Sequence, residues 1–204
     1  MKKYAQIAPA NARPTLLFDR PELQYPERLN AVETVLEGAL EAGWGERTAF
    51  YCGDSTLSFA DVHREVHRMA SGLRSLGLQP GDAVILRMPD GFELVAAILA
   101  VQALGAVAIP TYVQLRADDL RYRANDADAR LLLVSAELLD EAAPLRDDIS
   151  IVACPSDQSG RFKDLNSFLP DGEVTAEYAD TDADELSLLL YTSGSTGAPK
   201  GTCH

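Results

Sequence analysis

The sequence predicts an α/β fold, a mostly parallel sheet flanked by helices. Short apolar runs rich in leucine and β-branched residues, AVILRM (83–88), RLLLV (130–134) and ISIVAC (149–154), read as strands. Longer amphipathic stretches alternate with them, as in βαβ units. The strands are apolar on successive residues, which is the pattern of a sheet covered on both faces.

Residues 1–29 carry Pro9, Pro14, Pro21 and Pro26 with no steady period, so they predict an extended N-terminal arm. Residues 30–204 form the remaining unit. Its first helix starts at Asn30, a capping residue with Glu33 three positions on, and places Val32, Val35, Leu36 and Leu40 on one face. Gly43-Trp44-Gly45 ends it. A hairpin follows, Thr48–Cys52 and Thr56–Phe59 around Gly53-Asp54-Ser55. Ser58, with Asp61 at the capping-box position, opens a long helix whose apolar face is Val62, Val66, Met69, Ala70, Leu73 and Leu76. After the 83–88 strand come a helix over about 91–104, a strand over 106–110, a helix over 117–127 and the 130–134 strand. Ser135 caps a further helix, and 149–154 is another strand. The segment 155–185 is polar and irregular apart from a patch at Leu165 and Phe168. LSLLLY (186–191) closes the series as a strand.

The 204 residues hold 18 basic and 31 acidic side chains, a net charge of −13. That balance excludes a general nucleic-acid or anionic-membrane binder, which needs a cationic face. A phosphate ligand remains open, because one loop can be locally positive through its backbone N–H groups. Three scattered cysteines, Cys52, Cys154 and Cys203, show no metal spacing and suit a reducing, cytoplasmic setting. The start, MKKYAQIAPANARP, lacks the apolar run of a secretory signal. The apolar stretch 94–109 is shorter than the ~20 residues of a bilayer-crossing helix, and Gly105 punctuates it, so no membrane span is expected.

The informative stretch is LSLLLYTSGSTGAPKG (186–201), where an apolar strand gives way to hydroxyls, glycines and one lysine. Gly194 and Gly197 permit positive φ and close approach to a ligand. The hydroxyls and amides make a nest for anionic oxygens, and Lys200 adds a mobile positive charge. The chemistry points to a polyphosphate. In a parallel sheet, a loop leaving a strand's carboxyl end is where ligands bind. Two better-known phosphate loops fail. Pro199 stands where a Walker A loop needs glycine before its lysine, Gly201 where it needs Ser or Thr, and no GxG occurs in this run.

The order YTSGSTGAPKG (191–201) resembles the phosphate-binding signature of the AMP-forming acyl/aryl ligases, the adenylate-forming superfamily of acyl-CoA synthetases, luciferases and peptide-synthetase adenylation domains. All eleven residues fit. Upstream, residues 56–90, AAILAVQALGAVAIPTY (96–112) and DADARLLLV (126–134) resemble the units that precede it. PELQYPERLN (21–30) and the ending PKGTCH look most like CoA ligases for aromatic acids such as 2-aminobenzoate or benzoate, with short-chain acyl-CoA synthetases next.

The resemblance implies an enzyme that adenylates a carboxylic acid with ATP, accompanied by Mg²⁺, and passes the acyl group to CoA. It implies that Thr192, Ser193, Gly194, Ser195, Thr196, Gly197 and Lys200 hold the β- and γ-phosphates. It also implies that the chain is the first part of the large N-terminal domain of such a ligase, cut just after the phosphate loop. The remaining active-site parts then lie elsewhere, no residue here takes a catalytic role, and the polypeptide alone is inactive. An apolar strand left unpaired at 186–191 then predicts self-association. The alternative is a non-catalytic remnant or interaction module keeping part of the fold.

Other candidates are weaker. HREVH (63–67) puts two histidines at i, i+4 but lacks the glutamate that a zincin needs directly after the first, so a solvated helix flank is expected. Cys203 has no evident base beside it. DTDADE (180–185) lacks the glycine of an EF-hand loop and reads as a solvated turn. Tyr112, Tyr122 and Trp44 are expected to pack in the core.

Overall fold

The computed structural model describes residues 19–21, 24–154, 160–172, 174–192 and 197–204. The element order is α1 (Ala31–Glu41), β1 (Thr48–Cys52), β2 (Ser55–Ser58), α2 (Phe59–Ser75), β3 (Ala83–Arg87), α3 (Phe92–Ala103), β4 (Val107–Pro110), α4 (Ala117–Ala127), β5 (Ala129–Ser135), α5 (Leu139–Ala142), β6 (Ser150–Cys154), β7 (Lys163–Asp164), β8 (Leu189–Thr192) and β9 (Lys200–Cys203).

The central sheet has the order β4-β3-β5-β6-β7, and all its pairings are parallel. A single parallel bridge, Ala108 to Leu188, lays the start of β8 along β4. Strand alternation sorts the side chains into two cores. Val84 and Leu86 of β3 face α1, α2 and α3, while Ala83 and Ile85 face α4 and α5. All five residues of β3 are buried, as a strand covered on both faces requires. Each fully buried Leu or Ile contributes about 1.5–3 kcal/mol relative to exposure.

Two of the three proposed caps form. Asn30 accepts hydrogen bonds from the Val32 and Glu33 amides at the start of α1. Ser58 and Asp61 form the reciprocal capping box of α2. The apolar 94–109 stretch becomes α3, a turn and β4, and among the described residues no helix is long and apolar enough to cross a membrane. The turn needs glycine at 105. Its φ is +67°, and a Cβ there would lie 2.9 Å from the Ala179 Cβ.

Two features depart from the expectations. The helix after Ser135 is broken into a 3₁₀ turn, the four-residue α5 and a second 3₁₀ turn. Ser135 makes no capping hydrogen bond, and Pro144 lies in the first turn of the last piece. The closing apolar strand does not stand bare, because β9 pairs with it in antiparallel fashion along its whole length. The residues just before α1 are tied to the segment 180–183. Arg28 pairs with Asp180 and Asp182, and backbone bonds join Leu29 to Thr181 and Ala183 to Glu27.

Candidate functional site

Strands β8 and β9 form a hairpin in which Tyr191 pairs with Gly201 and Thr192 with Lys200. The hairpin is fixed at its foot. The Ala108 amide donates to Ser187 O at 3.0 Å, and the Ser187 and Leu188 amides donate to His204 O. Because Leu188 runs parallel to β4, β8 points the same way as the central strands, and the hydroxyl-glycine run leaves at their carboxyl ends. Leu189 anchors β8 in the core, fully buried. Glycine at 201 is a packing requirement, since a Cβ there would come within 2.8 Å of Leu189 Cδ1.

Of the seven residues proposed to grip phosphates, Thr192, Gly197 and Lys200 are exposed, and the hydroxyl and ammonium of the pair Thr192–Lys200 stand at the mouth of the hairpin loop. Ser193, Gly194, Ser195 and Thr196 lie outside the described residues. Gly197 corrects one expectation, because its φ is not in the left-handed region. What glycine supplies at this position is room, for nothing lies within 4 Å of where a Cβ would stand.

The AMP-binding enzyme family model matches residues 39–204, ending through this hairpin. The chain belongs to the AMP-binding enzyme family. It is 34% identical over 186 residues to a benzoate–CoA ligase of Thauera aromatica, covering 90% of this chain and 35% of that protein. A 3-hydroxybenzoate–CoA/4-hydroxybenzoate–CoA ligase of the same organism is 32% identical over 191 residues, with 90% of this chain and 36% of the relative covered. Among solved structures, the anthranilate CoA ligase AuaEII in complex with anthranoyl-AMP superposes with a TM-score of 0.80 at 28% identity, over 88% of this chain and 35% of its own. The chain thus spans about a third of the length of these relatives.

The β8–β9 hairpin is held from one helix, by residues that the 191–201 run did not reveal. On α4, the Tyr122 hydroxyl donates to Pro199 O at 3.0 Å, and Asp126 Oδ2 accepts from the Tyr191 hydroxyl at 2.8 Å. The Arg123 guanidinium lies 5.3 Å from the centre of the Tyr191 ring and donates to Asp119 O. The i, i+4 spacing of Tyr122 and Asp126 was the available signal, but their partners lie 77 and 65 residues away. Tyr122 is therefore not a core residue as expected. It is 37% exposed, and Tyr112 and Trp44 are exposed as well.

A second opening sits where the loops after β3, β5 and β6 diverge. It is a cleft of about 270 Å³ lined by Met88, Asp90, Glu93, Ser135, Glu137 and Cys154 among others. Three carboxylates make it a poor host for phosphates, so charge favours the hairpin. Beside it, the buried Arg87 donates to the carbonyls of Val113, Leu115 and Leu138, tying together the segments after β4 and β5. Burial lowers its pKa.

The HREVH pair is not a solvated flank. His67 is 1% exposed, and its Nδ1 accepts from the Ala176 amide at 2.9 Å. That bond puts the ring proton on Nε2, which contacts the Tyr178 hydroxyl. Tyr178 in turn donates to Glu37 Oε1, and His63 Nε2 lies 2.9 Å from the same oxygen. Glu37, His63 and His67 stand close enough to bracket a metal ion. The Ala176 bond nevertheless leaves His67 Nε2 protonated, without the lone pair a metal requires. The cluster is a directional hydrogen-bond chain tying 176–178 to α1 and α2.

Cys154 and Cys203 are equally quiet. Burial pushes the Cys154 thiol up to about 12, and burial also raises Cys203. Neither presents a thiolate at neutral pH. In DTDADE, the Asp180 and Asp182 carboxylates are engaged by Arg28.

Proposed function

We propose that this chain is the phosphate-gripping portion of an acid–CoA ligase, with an aromatic carboxylic acid as substrate. In the first step a carboxylate oxygen attacks the α-phosphorus of MgATP, forming the acyl adenylate and releasing pyrophosphate. In the second, the thiol of CoA attacks the acyl carbon, and thioester and AMP form as a proton is lost. Thr192, Ser193, Gly194, Ser195, Thr196, Gly197 and Lys200 hold the β- and γ-phosphates. The hydroxyls and amides donate hydrogen bonds and Lys200 neutralises charge on the departing pyrophosphate. Mg²⁺ enters with ATP as part of the substrate. Relatives named for benzoate and hydroxybenzoates, and a structure of an anthranilate CoA ligase, support an aromatic acid.

The observation that carries this reading is the exposed Thr192–Lys200 pair at the mouth of a rigidly footed hairpin on the carboxyl side of a parallel sheet. Calorimetric titration with Mg-pyrophosphate tests it. Saturable binding that weakens about tenfold or more in Lys200→Ala is the expected result, since a hydrogen bond to a charged group contributes about 1.5–3 kcal/mol. No binding, or binding indifferent to Lys200, supports a remnant that keeps the fold without its ligand. The 204 residues span about a third of the relatives, so acid-dependent pyrophosphate–ATP exchange is expected only from a protein supplying the rest. Its setting is proposed to be the cytoplasm, where free thiols persist.

A further inference from the structure

The two hydrogen bonds from α4 reach the hairpin at significant places. Tyr191 directly precedes Thr192, and Pro199 directly precedes Lys200. One anchor is on the outgoing strand and one is at the entry to the returning strand. Both come from side chains four residues apart on the same helical face, Tyr122 and Asp126. Between them the buried Arg123 lies against the Tyr191 ring, so the aromatic side chain is held at its face and at its hydroxyl. The remainder of α4 is itself fixed, with Leu120, Ala124 and Ala127 in the core.

We infer that α4 is the positioning element of the phosphate site: Tyr122 and Asp126 set where the Thr192 hydroxyl and the Lys200 ammonium stand. This rests on the proposed phosphate role of the hairpin. A flexible lysine beside a hydroxyl must lose freedom to hold an anion, and every contact that fixes their backbone beforehand reduces that loss. Strand pairing alone fixes the register of Thr192 and Lys200. It does not fix the hairpin's tilt against the sheet, because β8 joins β4 by a single bridge at its start. The anchors from α4 act at the far end, where the phosphates would sit. Asp126 is an acceptor with a job already assigned, so its carboxylate beside an anion site serves the Tyr191 hydroxyl.

The test uses the 204-residue chain and three variants, Tyr122→Phe, Asp126→Ala and Asp126→Asn. Two readouts are taken: affinity for Mg-pyrophosphate by calorimetry, and exchange of the Thr192 and Lys200 amides by NMR without ligand. Tyr122→Phe and Asp126→Ala each remove one anchoring hydrogen bond that acts on the site only through the hairpin backbone, and each is expected to weaken pyrophosphate binding about 2–10-fold and to speed amide exchange near the hairpin mouth. Asp126→Asn keeps an acceptor for the Tyr191 hydroxyl and is expected to restore most of the affinity. Unchanged affinity and exchange in Tyr122→Phe and Asp126→Ala would overturn the inference. So would a loss explained entirely by lowered global stability, with Asp126→Asn no better than Asp126→Ala. If the unaltered chain binds no pyrophosphate, the phosphate reading fails and the positioning role fails with it. Faster exchange in Tyr122→Phe would then mark α4 as a purely structural brace.

Discussion

Protonation at His67 reaches the packing of the whole 176–178 segment, because its Nδ1 lone pair receives the Ala176 amide. Its pKa is lowered by burial and by neighbouring His63, although Glu37 opposes that shift. For a base depressed on folding, the unfolded chain binds more protons between the two pKa values. Stability is then complete above the unfolded value near 6.5 and falls as pH drops below it. Glu37 adds to the same trend at lower pH. Burial raises its pKa, but hydrogen bonds from His63 and Tyr178 outweigh that, and the net shift is downward. Its contribution is present above 4.5 and fades as acid titrates the folded carboxylate. Urea unfolding between pH 7 and 5 should show falling stability, and His67→Leu should flatten that slope. The same variant strands the Ala176 amide, a cost of about 1–3 kcal/mol. At the other core, Gly201→Ala forces a methyl against the buried Leu189, and a loss of about 1–3 kcal/mol is expected in the same assay.

Among the elements, the most legible were those whose signals are local. The Asn30 and Ser58 caps, the apolar faces of α1 and α2, and the strands β3 to β6 are written within a few residues of where they act. Ser58→Ala should cost about 1 kcal/mol by removing the capping box at the start of α2, readable as a shift in the denaturant midpoint. What was missed depends on distant partners. β9, Lys200–Cys203, has no strand pattern of its own and is extended because β8 lies beside it. His67 read as exposed because its partners, Ala176 and Tyr178, are more than a hundred residues away. The helix after Ser135 was read from its cap alone, but that cap goes unused and Pro144 stands at the start of the last piece. For the site, the signature from Tyr191 to Gly201 was plain, but the braces on α4 were not, since Tyr122 and Asp126 carry no motif of their own.

The whole molecule is a parallel sheet with a core on each face and a hairpin attached beyond β4. A strongly acidic surface makes the hairpin's lysine valuable, because anions are otherwise repelled by a net charge of −13. Added salt screens this long-range repulsion before it reaches the short-range contact with Lys200, so phosphate binding should hold or strengthen from low to physiological ionic strength. The central claim is that this chain recognises a nucleotide by its phosphate tail. Calorimetric affinities for MgATP, MgADP and AMP measured side by side test it most directly. The expected result is a ladder, ATP tightest and AMP weakest, with each step lost in Lys200→Ala. Equal affinity for all three, or a ladder that survives the loss of Lys200, would contradict it.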